Sequence, residues 1–158
     1  MLTHDNIVSN VLASLSIVSD FGPADLSLSF LPLCHIFERM GGLYLMLAKG
    51  VTIAYAESIE KVPANMGEVR PTLMFSTPRL YEKMYARVHE KVASDPPVRQ
   101  KIFRWAVGVG REMFRHQVER TRPGALLKLQ FAIADAIVFS KIKARVGGRM
   151  RLFVSGGA

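Results

Sequence analysis

Apolar positions along the chain recur with two alternating periods, which predict helices separated by short strands. Between residues 3 and 19 apolar side chains return every three or four positions, and Thr3 or Asp5 can cap the resulting helix. Four short runs rich in β-branched and aromatic residues predict buried strands at 26–31, 51–55, 71–76 and 149–155. Because helical patterns lie between consecutive strands, we expect an α/β fold with a mostly parallel sheet covered by helices.

The predicted helices fill the intervals between these strands. They cover residues 34–49, 59–69, 77–93, 98–121 and 124–146. Gly50 closes the first of them, and Pro78 suits the first turn of the third. A glycine pair, Gly147 and Gly148, ends the last helical pattern just before the fourth strand.

Length and composition bound the number of cores and exclude some classes of site. With 158 residues, 49% of them hydrophobic, the chain can build one sizeable core and is too short for two. The single cysteine, Cys34, excludes an internal disulfide framework and a multi-cysteine metal site. Its apolar neighbours predict a small buried side chain. No run of about 20 residues is apolar enough to span a bilayer.

The net charge of +8 is concentrated in the second half of the chain. Residues 95–151 carry thirteen lysines and arginines against four acidic residues. Such a surface could meet anionic lipid, nucleic acid or an anionic substrate such as a nucleotide or coenzyme A. The cations also recur at helical spacing, so they could equally be the solvated faces of amphipathic helices. The interleaving of aromatic and basic residues that is typical of RNA-binding surfaces is absent.

Three predicted strands end in residues that could carry chemistry. His35 follows Pro32 after the first strand, Arg79 follows the third, and the glycine pair Gly156 and Gly157 follows the fourth. In a parallel sheet these ends meet at one edge, where open α/β sheets bind ligands. Together they would offer an imidazole, a guanidinium and bare backbone amides to an anionic substrate. Taken singly, a histidine is more often structural, and a glycine pair more often forms a turn.

Four ordered motifs resemble those of the adenylate-forming acyl-CoA synthetases, in particular the long-chain fatty acid–CoA ligases. Residues 2–6 are similar to the segment that follows the phosphate-binding loop of that family. Residues 29–39 resemble its Leu-Pro-Leu-x-His-Ile-x-Glu-Arg motif. Residues 70–83 resemble its Arg-Pro-Thr … Pro-Arg-x-x-Glu-Lys signature, and residues 147–158 its Gly-Gly-Arg … Ser-Gly-Gly-Ala strand. The resemblance covers essentially the whole chain.

The resemblance implies a two-step reaction and a role for five residues. A carboxylate and ATP would give an acyl-adenylate and pyrophosphate, and the sulfur of coenzyme A would then displace AMP. His35 would lie beside the reacting carboxylate, and Phe37 would help to wall the acyl site. Gly156, Gly157 and Ala158 would contact the acyl chain and the adenine through their backbone. Arg79 is matched by motif, but it could instead serve structure by pairing with Glu82 or Glu38.

The same resemblance implies what the chain would need from outside it. We expect residues 1–158 to be part of an AMP-binding domain that carries a helical insertion at about 95–146. The complete enzyme would be cytoplasmic, and peripheral membrane contact through its basic helices stays open. ATP, coenzyme A and Mg²⁺ are the implied cofactors, but the phosphate loop, the magnesium ligands and the adenylation lysine would lie elsewhere. The isolated chain is therefore expected to be inactive. Two alternatives stay open: a fatty acyl-AMP ligase that loads a carrier protein, and a non-catalytic basic α/β module that binds membranes or nucleic acid.

Overall fold

A four-stranded sheet forms the centre of the first of two compact units into which the chain divides. The computed structural model describes residues 2–18 and 20–156. The sheet unit comprises Met1–Leu80 and Arg145–Ala158, and the helical unit comprises Tyr81–Ala144. Most of the segment predicted as a helical insertion, residues 95–146, lies in the helical unit.

All strand pairings in the sheet are parallel, as the alternation of helices and strands predicted. The strands are β1 (Leu26–Ser29), β2 (Thr52–Tyr55), β3 (Leu73–Ser76) and β4 (Leu152–Ser155), in the spatial order β2-β1-β3-β4. Each strand is shorter than its predicted run, since β1 ends two residues early and the other three strands begin one to three residues late. The α/β architecture with a mostly parallel sheet is confirmed.

The helices of the sheet unit start where the sequence placed them within a few residues. They are α1 (His4–Ile17), a π-helical segment π1 (Glu38–Leu45) that runs into α2 (Met46–Ala48), and α3 (Val62–Val69). Thr3 caps α1, and its side chain and that of Asn6 form a capping box. Only Val11 of α1 is buried, while Val8 and Leu12 are exposed. The predicted apolar stripe of α1 is therefore covered only in part.

The π-helical form of π1 was not predicted, and close packing around two glycines accompanies it. A β-carbon on Gly41 would collide with the ring of Phe75, and one on Gly42 would collide with the carboxyl group of Glu38. Single-turn π segments within helices are rare and occur often at functional sites. The glycine pair therefore lets this helix approach the sheet and its own buried acid.

The main core of the sheet unit lies between one face of the sheet, α1 and π1. Leu73 and Phe75 belong to this face, and alternation along the strand directs Met74 to the opposite one, where it is also fully buried. The buried members of the core are Val11, Phe21, Leu45, Met46, Val51, Leu73 and Phe75. Both sheet faces are thus apolar, as expected for a parallel sheet.

The helical unit has a small hydrophobic cluster of its own, in addition to the larger core of the sheet unit. Its elements are α4 (Pro78–Ala93), in which the boundary between the units falls, α5 (Pro97–Val118), α6 (Ala125–Ala134), a second π segment π2 (Asp135–Phe139) and α7 (Ser140–Arg145). Ala106 and Val109 of α5 and Ala134 of α6 form the buried cluster. Small side chains let two helices pack closely, so even a short hairpin buries a core. Among the described residues, no helix is long and apolar enough to cross a membrane.

Candidate active site at the strand ends

The three strand ends singled out in the sequence lie side by side. β1, β3 and β4 are consecutive in the sheet and run in the same direction. At this edge the backbone N–H of Gly156 donates to the carbonyl of Ser76, at 3.1 Å. The carboxyl ends of the strands thus form one contiguous edge, the position at which open α/β sheets bind ligands.

His35 sits at the start of the helical turns that lead into π1. Its backbone N–H donates to the carbonyl of Pro32 at 2.9 Å, and its ring Nδ1 accepts a hydrogen bond from the N–H of Phe37 at 3.3 Å. The side chain therefore acts like a helix cap. Since Nδ1 is an acceptor, the proton of the neutral ring lies on Nε2. The ring is exposed, and Nε2 has no partner among the described residues, so it can donate to a ligand.

Phe37 belongs to an aromatic pair held between two glycines. Its ring meets that of Phe75 edge to face, with centroids 5.8 Å apart and an interplanar angle of 68°. A β-carbon on Gly156 would lie 2.7 Å from the Phe37 ring, and one on Gly41 would collide with Phe75. The structure therefore brings together Phe37 and Gly156, two of the residues singled out. The structure also places Gly41 and Phe75 at this site. In the sequence, Gly41 was recognisable only as part of a glycine pair, and Phe75 only as part of a predicted buried strand.

An apolar cavity of about 430 Å³ lies beside this aromatic pair. Its wall is built by α1, π1 and one face of the sheet, and includes Val11, Phe37, Met40, Leu73, Phe75 and Val154. The volume falls within the range that is typical of small-molecule sites. His35 does not line the cavity, but its neighbour Ile36 does. The cavity can therefore accept an apolar chain whose polar end lies toward the strand ends.

Glu38 is a buried acid that the sequence analysis did not single out for function. It is 0% exposed, and the hydroxyl of Ser29 donates to its Oε1 at 2.6 Å. Its other oxygen, Oε2, has no hydrogen-bond partner. Burial raises the pKa of this carboxyl group, although the hydrogen bond from Ser29 acts in the opposite direction. Arg79 is exposed at the start of α4 and makes no ion pair with Glu38 among the described residues, so that expected pairing is not observed.

The prediction that Cys34 is buried was wrong, because its thiol is exposed. It lies in the surface turn between Pro32 and the helical residues, where the apolar sequence context does not imply an interior position. Arg39 stabilises this turn, since its Nε donates to the carbonyl of Leu33 at 2.8 Å. The exposure of Cys34 thus depends on the direction in which the turn places its side chain, and not on its apolar sequence neighbours.

A second electrostatic feature lies at the opposite, amino-terminal ends of the strands. The guanidinium group of Arg151 donates to both carboxylate oxygens of Asp25, at 2.6 and 3.1 Å. These hydrogen bonds, with smaller contributions from Thr72 and Gly22, lower the pKa of Asp25 to about 2 despite its burial. The pair joins the segment before β1 to the segment before β4. It stabilises the sheet and is remote from the strand ends described above.

Two of the predicted substrate-binding residues, Gly157 and Ala158, lie outside the described residues. Within the described ranges 2–18 and 20–156, no group of three histidine, cysteine, aspartate or glutamate side chains could hold a metal ion. The site as described thus consists of an exposed imidazole, an aromatic pair, the backbone at Gly156 and an apolar cavity. This arrangement can bind an apolar carboxylate, and the exposed guanidinium of Arg79 follows β3 at the same edge of the sheet.

Comparison with known proteins finds one matching family profile and several relatives whose names describe long-chain acyl-CoA ligases or synthetases. The profile of the family described as AMP-binding enzyme matches residues 1–158. The chain is 34% identical to long-chain-fatty-acid–CoA ligase 2 of Schizosaccharomyces pombe, with 100% of this chain and 22% of that protein covered. It is 33% identical to the peroxisomal long chain acyl-CoA synthetase 7 of Arabidopsis thaliana (100% and 21% covered). It is 30% identical to long-chain-fatty-acid–CoA ligase 5 of Rattus norvegicus (100% and 22% covered). No solved structure matches at a significant level.

Proposed function

Since the chain belongs to the AMP-binding enzyme family, we propose that it forms part of a ligase that activates a long-chain fatty acid with ATP and transfers the acyl group to coenzyme A. The relatives whose names state such an activity match over the whole of this chain and support the choice of substrate. The chain spans about a fifth of the length of those relatives, so the activity belongs to the complete protein.

The apolar cavity beside Phe37 is the observation that carries the proposal. A fatty acid is an apolar chain with one charged end, and the cavity is lined mainly by aliphatic and aromatic side chains. In the proposal the acyl chain lies between π1 and the sheet, against the pair formed by Phe37 and Phe75. The absence of a side chain at Gly156 keeps the edge next to Phe37 open for backbone contacts to the substrate.

The proposed role of His35 is to hold the carboxylate for attack on ATP. Its Nε2–H would donate a hydrogen bond to one carboxylate oxygen while the other oxygen attacks the α-phosphorus and pyrophosphate leaves. The sulfur of coenzyme A would then attack the acyl carbonyl carbon, and AMP would leave. Backbone atoms of Gly156, Gly157 and Ala158 would contact the acyl chain and the adenine. Mg²⁺ is part of the proposal only for the complete protein, where it would neutralise phosphate charge.

Replacing His35 by alanine in the complete protein tests this proposal. Loss of one hydrogen bond to a charged group should slow acyl-adenylate formation by roughly 10- to 100-fold. The measurement is pyrophosphate release with palmitate and ATP, together with the thermal midpoint of each variant. Cys34→Ala, which changes the neighbouring exposed residue of the same turn, is the matched control and should keep the full rate. An unchanged rate in His35→Ala would remove His35 from the site.

Two further parts of the proposal concern acceptor and location. With coenzyme A as acceptor, thioester should form with coenzyme A and not with an acyl carrier protein; the opposite preference would favour an acyl-AMP ligase. The isolated 158-residue chain should form no acyl-adenylate. We also propose a cytoplasmic enzyme with peripheral membrane contact through its basic helices, because fatty acids partition into bilayers and cations favour anionic leaflets.

A further inference from the structure

We propose that one face of α5 docks the protein onto an anionic membrane surface. The face consists of three arginines, Arg104, Arg111 and Arg115, and three apolar residues, Val107, Phe114 and Val118, and is called the α5 face below. The inference rests on the proposed function, because the fatty acid substrate of such a ligase partitions into lipid bilayers. It goes further by assigning the contact to six residues.

Helical geometry places these six residues on one side of α5. At 100° per residue, they fall within an arc of about 100° around the helix axis. From residue 104 to the end of α5 no other residue falls within this arc, and no acidic residue does. Ala106 and Val109, which are buried in the cluster of the helical unit, lie outside it. The α5 face is therefore a continuous surface on which arginine and apolar side chains alternate.

The side chains of the α5 face are available for contact with a partner. Phe114 is 63% and Val118 is 65% exposed, so the last five residues of α5 leave two large apolar side chains in water beside the arginines. Arg115 forms an ion pair with Glu112, but Arg104 and Arg111 form none among the described residues. Two of the three arginines are thus free to meet phosphate groups.

The chemistry of the face favours an anionic lipid surface over other anionic partners. The helical unit carries thirteen lysines and arginines against six acidic residues, a net charge of +7, and so attracts anionic surfaces. Arginine forms paired hydrogen bonds with phosphate headgroups, and a phenylalanine beside it can enter the region between headgroups and acyl chains. A nucleic acid backbone would use the arginines but would leave Phe114 and Val118 in water.

Charge reversal on the α5 face tests the electrostatic half of the proposal. The triple variant Arg104→Glu, Arg111→Glu and Arg115→Glu of the complete protein is compared with Lys91→Glu, Lys128→Glu and Lys141→Glu. The control changes net charge equally, but its lysines lie on α4, α6 and α7. Co-sedimentation with phosphatidylserine–phosphatidylcholine vesicles is the measurement. Each cation near an anionic surface contributes about fivefold in partitioning, so the first variant should bind at least about 100-fold more weakly and the control much less so.

Substitution of Phe114 tests the apolar half and separates a membrane from other occupants. Phe114→Ser should weaken vesicle binding by roughly tenfold, because the ring no longer enters the interface. Leu126→Ser, at an equally exposed position of α6, should leave it unchanged. Neither should alter binding to a DNA duplex. If Phe114→Ser lowers the thermal midpoint without vesicles, another part of the protein covers the face and the proposal is overturned. It is also overturned if both triple variants lose binding equally, or if Phe114→Ser binds normally.

Activity in solution distinguishes failure of this proposal from failure of the proposed function. The variants of the α5 face should form acyl-adenylate at the normal rate when palmitate is delivered on albumin without vesicles. Normal vesicle binding without any acyl-adenylate formation would refute the ligase and leave the docking face standing. Normal catalysis with vesicle binding unaffected by either set of variants would refute the docking face alone.

Discussion

The sheet unit and the helical unit differ in net charge and in where their polar side chains lie. The sheet unit is nearly neutral, with eight lysines and arginines against seven acidic residues, whereas the helical unit carries a net charge of +7. The sheet unit buries polar groups such as Glu38, Ser29 and Asp25, each held by specific partners or left with an unpaired atom. All residues that line the cavity belong to the sheet unit, and the exposed arginine-rich face belongs to the helical unit. Close packing thus defines the candidate site, while surface chemistry defines the candidate docking face.

Glycines show the same difference on a smaller scale. In the sheet unit, glycines lie where a β-carbon would strike the backbone, a ring or a carboxyl group, as at Gly147, Gly156 and Gly42. In the helical unit, Gly108 has open space around it. Contact therefore requires glycine at these three positions, whereas Gly22, Gly67 and Gly148 of the same unit have open space, as Gly108 does. Substitutions at Gly147, Asp25, Glu38 and Gly108 are expected to change the free energy of unfolding by decreasing amounts, and they test the contrast between the units.

Gly147→Ala should be the most destabilising of these changes. The residue has φ +89°, and a β-carbon would lie 2.5 Å from the carbonyl oxygen of Met66 and 2.8 Å from Cα of Arg70. Left-handed backbone and backbone collision together should cost about 3 to 4 kcal/mol in the free energy of unfolding. Gly148→Ala is the control, since Gly148 also has a positive φ but no neighbour within 4 Å, and should cost only about 1 kcal/mol. Equal urea midpoints for the two variants would show that strain alone, and not contact, fixes this turn.

Asp25→Asn should remove a contribution to stability that depends on pH. Because the folded-state pKa of Asp25 is lowered to about 2, its contribution is present above the ordinary pKa and is lost as the pH falls through about 2. The variant should lose about 2 kcal/mol at pH 7, and this loss should shrink as the pH falls below the ordinary pKa and disappear only below about pH 2. Glu112→Gln, which breaks an exposed pair of the helical unit, should cost about 0.5 kcal/mol or less. Similar losses in the two variants, measured by urea unfolding, would contradict the contrast between the units.

Glu38→Gln should change the pH dependence of stability in the opposite direction. Burial raises the folded-state pKa of Glu38, so its contribution is complete below the ordinary pKa and declines as the pH rises toward the raised value. Over that window the free energy of unfolding should fall by about 1.4 kcal/mol per pH unit. Glutamine stays neutral and can still accept the hydrogen bond from Ser29, so this slope should disappear. Urea unfolding between pH 4 and 8 measures it, and an unchanged slope would assign the titration to another group.

Gly108→Ala should be the smallest change and the only stabilising one. The residue lies within α5 with no atom within 4 Å of a β-carbon position, so alanine gains helix propensity without collision. We expect about 0.5 to 1 kcal/mol of added stability. Gly110→Ala on the same helix should lose part of this gain, because its β-carbon would lie 3.0 Å from the ring of Phe139. Destabilisation by Gly108→Ala, seen as a lower thermal midpoint, would show that α5 meets a partner on that side.

Much of the fold followed from local pattern, but the parts that matter for the site did not. The alternation of strands and helices predicted the parallel sheet, and proline and glycine marked the ends of α4 and α2 closely. The π form of Glu38–Leu45, the burial of Glu38 and the exposure of Cys34 were missed. Periodicity reports which side of an element is apolar, but it does not report how closely two elements approach. The small cluster around Ala106 was not predicted for the same reason.

Local sequence signals were enough to predict the order of elements, the parallel sheet and the position of His35 at a strand end, because hydrophobic period, proline and glycine act within a few residues. The tertiary structure alone decided that the rings of Phe37 and Phe75 meet between Gly156 and Gly41. It also decided that a cavity opens beside them. These contacts join residues more than 30 positions apart, and no local preference specifies them. Only the packing of helix against sheet brings them within van der Waals distance.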